Sequence, residues 1–117
     1  MLRLAGILRI TSLWLFWPSV ALIVWGELTP NPPDLGPGWD KLEHFTAYFG
    51  LAAMATMVLG PRLRVILDII LLSGLLELLQ SFTGRDAEIL DFAANSLGAL
   101  SGFAVAFLVW RLSGALD

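Results

Sequence analysis

The 117-residue chain contains no cysteine. Disulfides, thiolate nucleophiles and zinc–thiolate centres are therefore excluded, while the redox state of its compartment is left unspecified. Charge is also scarce. Asp, Glu, Lys and Arg together make up 15% of the residues, and the net charge is −3. There is no basic cluster of the kind that tracks a phosphate backbone, so no nucleic-acid partner is expected. Internal repeats and low-complexity segments are absent.

What remains is apolar. Hydrophobic residues are 57% of the chain, and the mean hydropathy is +0.79. Soluble domains sit nearer about 45–50% apolar. The apolar residues are gathered into long runs, and a helix needs about 20 of them to cross a bilayer core. The first run spans about 10–28, with a start as early as Ala5, and is interrupted only by Thr11, Ser12, Pro18 and Ser19 before Glu27. Arg3 and Arg9 precede it in the manner of a signal peptide. The run is longer than a usual signal core, however, and no small-x-small cleavage site follows, so a retained helix is expected. Pro30, Pro32, Pro33, Gly36, Pro37 and Gly38 then form a loop. Further spans follow at about 42–59, 63–82 and 89–112, separated by the turns Gly60-Pro61 and Thr83-Gly84-Arg85-Asp86. The expected fold is all-α: an integral membrane four-helix bundle of antiparallel hairpins in a single domain.

Positive charge sorts by side. Arg3, Arg9, Arg62, Arg64 and Arg111 fall at one end of a four-span chain, and Lys41 and Arg85 at the other. The positive-inside rule then places both termini in the cytoplasm. Trp25 and Trp39 suit the outer interface and Trp110 the inner one.

Polar residues in such helices are informative, because an ionisable side chain at a span centre costs about 2.5–3.5 kcal/mol on insertion scales. Lys41, His44 and Tyr48 are spaced three and four apart and share one helix face. Glu77, Gln80 and Gly84 repeat that spacing in the third span, and Asp91, Asn95, Gly98 and Gly102 do so in the fourth. Glu77 and Tyr48 each lie about 10 Å in from their outer ends and Asn95 about 9 Å, from the helical rise. Three stripes thus open at the outer surface and can converge on one polar pocket. Arg85 lies at its mouth and can pair with Glu77 or Asp91 through its planar guanidinium.

Each feature also has a structural reading. Asn95 can serve as an interhelical hydrogen-bonding group, and Gly98 and Gly102 as a close-packing seam. Glu77 and Arg85 can form a buried ion pair, His44 can be solvated at the interface, and Asp68 can pair with Arg64.

In order and spacing, Asp40-Lys41-x-x-His44-Phe45-x-x-Tyr48, Glu77-x-x-Gln80, Gly84-Arg85 and Asp91-x-x-x-Asn95-x-x-Gly98-x-x-x-Gly102 resemble the VanZ-like membrane protein family. The resemblance covers about residues 40–102. It implies a small multi-span bacterial membrane protein, in a family named for an accessory member associated with teicoplanin resistance. Asp86 stands where a small hydroxyl residue such as Ser is about as common.

Two functions fit these residues. One is an envelope-facing site that binds or acts on a lipid-linked or peptidoglycan-related substrate. There Glu77 and Asp91 supply acid–base chemistry, His44 shuttles protons, and Lys41, Tyr48, Gln80, Arg85 and Asn95 bind. The other is a non-enzymatic membrane module that binds lipid or a partner protein, its polar layer purely structural. A transporter is less well supported, because the inner halves of the spans are nearly all apolar. No cofactor is expected. His44, Glu77 and Asp91 carry metal-ligating atoms, but their spacing matches no recognised metal motif.

Overall fold

The computed structural model describes residues 2–29, 39–83 and 89–113. These residues form four helices and no strand: α1 (Leu2–Leu28), α2 (Trp39–Leu59), α3 (Leu63–Gln80) and α4 (Ile89–Leu112). The expected all-α, four-helix fold is the one observed. Helix α2 begins at Trp39, earlier than the apolar run, because Asp40 and Lys41 are tolerated in a first turn that reaches the membrane surface. Helix α3 stops at Gln80, and the following turn satisfies its last carbonyls. Ser81 Oγ donates to the Leu78 carbonyl at 2.7 Å, and Thr83 Oγ1 to that of Gln80 at 2.9 Å.

The connection between α2 and α3 is a glycine-capped stop. Gly60 takes a positive φ of 91°, and its N–H donates to the Thr56 carbonyl at 2.8 Å. Glycine adopts that left-handed conformation without steric penalty, and Pro61 prevents the helix from continuing.

Helices α1, α2 and α4 are long and apolar enough to cross a membrane. Helix α3 is the shortest of the four and carries three charged residues, Arg64, Asp68 and Glu77, in 18 residues. Arg64 and Asp68 form the expected local pair, 3.6 Å apart and exposed. Large apolar side chains cover the outside of the bundle: Trp14 is 79% exposed, Leu71 70% and Phe82 81%. Such a surface suits lipid, where leaving these side chains uncovered forfeits no hydrophobic stabilisation.

Inside, α2 is the central helix and packs most extensively against α4. The cause is the glycine seam. A Cβ at Gly98 would lie 2.2 Å from the Phe45 carbonyl oxygen, and one at Gly102 would lie 2.1 Å from that of Phe49. Only glycine lets the two backbones approach this closely, so Gly98 and Gly102 have the packing role expected of them. Tyr48, Leu51, Ala52, Ala55, Val65, Ile69 and Ala99 form the buried core, with Phe16, Val20 and Ile23 of α1 packed against it.

Candidate functional site

The close α2–α4 packing brings two polar stripes face to face. Asp91 lies in the first turn of α4 and is 4% exposed. Its two oxygens have different neighbours. Lys41 Nζ donates to Oδ1, while Oδ2 faces His44 Nε2 at 3.6 Å. Lys41 also donates to Asp40 Oδ2 at 2.8 Å, so its charge is shared between two carboxylates.

His44 is held from its other side. Asn95 lies one turn along α4 from Asp91, and its Oδ1 is 2.8 Å from His44 Nδ1. Nδ1 therefore carries the proton and donates it to Asn95, which leaves Nε2 turned toward Asp91. Asn95 is fully buried, and its Nδ2 has no hydrogen-bond partner among the described residues.

Helix α3 adds Glu77, which is 6% exposed. One ligand atom each from His44, Glu77 and Asp91 lie within 4.8 Å of one another. Three helices thus deliver one imidazole and two carboxylates to a single point, as their separate stripes predict. Gln80, one turn along α3 from Glu77, is fully buried, and neither of its amide atoms has a hydrogen-bond partner among the described residues. Tyr48 lies deeper, fully buried in the core, and its hydroxyl has no hydrogen-bond partner among the described residues. Gly84 and Arg85 fall outside the described residues, and with them the expected pairing of Arg85 at the mouth.

Sequence reasoning missed two contributors. Glu27 of α1 is 6% exposed, and its Oε1 lies 3.7 Å from His44 Nδ1. Read along the chain, Glu27 only ends an apolar run. The signal that could have found it is its level, since an acid at the outer end of span one lies beside the outer end of span two. Ser73, fully buried and one turn from Glu77, extends the α3 stripe inward.

These contacts also fix the packing of the helix ends. The C-terminal ends of α1 and α3 and the N-terminal ends of α2 and α4 meet at the site. An open apolar groove of about 480 Å³ runs along α3 beside α4, lined by Leu71, Gly74, Leu78 and Phe92. Leu78 and Phe92 follow Glu77 and Asp91 in the chain, so the groove reaches the level of the polar cluster on a neighbouring helix face.

A family model described as VanZ/LLP1 matches residues 5–110. The match takes in α1, which the motif resemblance did not reach. No curated protein and no solved structure shows a match.

Proposed function

Because the chain belongs to the VanZ/LLP1 family, we propose that this membrane protein presents an outward-facing polar pocket to a lipid-linked or peptidoglycan-related substrate in the bacterial envelope. The observation that carries the reading is the convergence of His44, Glu77 and Asp91 within 4.8 Å, at one end of an otherwise apolar bundle. Glu77 and Asp91 are buried ionisable groups inside an apolar bundle, and such groups in membrane helices generally mark function.

The surroundings of the pocket support this substrate class. A polar head group meets Lys41, His44, Glu77 and Asp91, while an acyl or prenyl chain lies in the groove beside Leu78 and Phe92. The arginines at the opposite end of the bundle support an orientation in the inner membrane with both termini in the cytoplasm. A contribution to glycopeptide resistance is one form this function can take.

A second reading rests on the interhelical bonds Lys41–Asp91 and His44–Asn95. In it the polar layer only ties α2 to α4, and the protein is a non-enzymatic module that binds lipid or a partner protein. One experiment separates the two. Glu77→Gln, His44→Ala and Asp91→Asn are expressed, and both membrane protein level and glycopeptide susceptibility are measured. A lost phenotype at normal protein level supports the pocket, and lost protein supports the structural layer. Three variants that behave as wild type at normal level sink the pocket.

A further inference from the structure

The pair His44 Nε2 and Asp91 Oδ2 sits at an unusual separation. At 3.6 Å it is longer than a hydrogen bond, and the two side chains are 11% and 6% exposed. With Nδ1 engaged by Asn95 Oδ1, Nε2 is the ring nitrogen turned toward the Asp91 carboxylate.

The spacing suits a metal ion. Ligand atoms about 2.1 Å from a common tetrahedral ion sit roughly 3.4 Å from one another, close to the separation of the His44–Asp91 pair. Glu77 supplies the third group, a carboxylate, and one ligand atom from each of the three residues lies within 4.8 Å of the others, so the widest pair needs only a small side-chain adjustment. The supports of a ligand set are present as well. Asn95 fixes the tautomer and ring orientation of His44, and Lys41 holds Oδ1 of Asp91 so that Oδ2 turns inward. Lys41 binds the far oxygen of Asp91, shares its charge with Asp40, and its side chain is 32% exposed.

A second observation points to a ligand at the same place. The Asn95 amide is fully buried, its Oδ1 is engaged by His44, and its Nδ2 has no partner among the described residues. Gln80 beside Glu77 is likewise buried with both amide atoms unpartnered among the described residues. Buried donors in this state call for an acceptor. Oxygen ligands completing the shell of an ion that has only three protein ligands would provide one.

We propose that His44 Nε2, Asp91 Oδ2 and a Glu77 carboxylate oxygen bind one divalent first-row cation of the Zn²⁺ or Mn²⁺ type, leaving an open coordination position. The inference deepens the pocket reading and rests on it for location. One nitrogen and two oxygens form a mixed set that suits these ions better than a thiophilic one. In the pocket, such an ion gives a phosphate-bearing head group a point of attachment.

The test uses the full-length protein in nanodiscs with any affinity tag removed. The chain contains a single histidine, so an imidazole nitrogen coupled to bound Mn²⁺ in pulsed EPR can only be His44. Wild-type protein is expected to show that coupling and to bind Zn²⁺ saturably by calorimetry. His44→Gln removes the coupling. Asn95→Leu, which leaves all three ligands in place, weakens Zn²⁺ binding by about 10–100-fold. If His44→Gln fails to fold, the wild-type spectrum alone decides. Folded wild-type protein with no imidazole coupling and no saturable Zn²⁺ binding overturns the metal site, and leaves the pocket to stand or fall on the envelope phenotype. Metal bound through His44, with that phenotype unchanged in the Glu77, His44 and Asp91 variants, supports the site and removes the pocket function.

Discussion

Lys41 of α2 and Asp91 of α4 form an ion pair in which the two sides are unequally buried: the lysine side chain is 32% exposed and the aspartate 6%. Each helix contributes one residue of the pair near its first turn, so the contact ties two helix starts together beside His44.

That inequality sets the sign of a comparison. Lys41→Met leaves a buried carboxylate without this partner, whereas Asp91→Asn leaves an ammonium that reaches water. Breaking a fully buried pair costs about 3–5 kcal/mol, and exposure of the lysine reduces this to roughly 1–3 kcal/mol here. Lys41→Met is expected to destabilise more than Asp91→Asn in thermal unfolding of the detergent-solubilised protein. The reverse order would show that Asp91 is not the group that carries the burial penalty.

The glycine seam makes a sharper prediction. Gly98→Ala places a methyl group 2.2 Å from the Phe45 carbonyl oxygen, so α2 and α4 must move apart. Overpacking of this kind costs about 1–3 kcal/mol and more where the obstacle is backbone. Gly50→Ala is the control, since a Cβ there meets nothing within 4 Å. Better helix propensity should make it neutral or stabilising by up to about 1 kcal/mol. Folded yield and melting temperature of the two variants decide the matter.

Glu27 tests whether α1 belongs to the site. Its carboxylate lies 3.7 Å from His44 Nδ1. Glu27→Ala is expected to reproduce the envelope phenotype of His44→Ala at normal protein level, measured as glycopeptide susceptibility. A wild-type phenotype would reduce α1 to an anchor.

Orientation is checked independently of the pocket. A reporter active only in the periplasm, fused after Asp117, is expected to be silent, and one inserted in the segment between α1 and α2 to be active. Strong activity of the first fusion would invert the bundle and turn the pocket toward the cytoplasm.

Much of this protein was legible in its residues. The helices follow from apolar runs and their Pro and Gly breaks, and α4 falls at the expected 89–112. The faces follow too. Asp91, Asn95, Gly98 and Gly102 are all buried on α4, and Glu77 and Gln80 on α3, because a spacing of three and four residues returns to the same side of a helix. Hydropathy and periodicity are properties of one helix at a time, and those the sequence determines by itself.

The tertiary structure decided which face meets which. That Lys41 reaches Asp91, that Asn95 rather than water holds His44, and that Glu27 joins them depends on how each helix is rotated about its axis. Local spacing does not encode that rotation. It is set by close packing, here by two glycines that let α4 seat against the carbonyls of Phe45 and Phe49. His44, Glu77 and Asp91 are far apart in the chain and match no linear metal motif, yet helix packing gathers them within 4.8 Å.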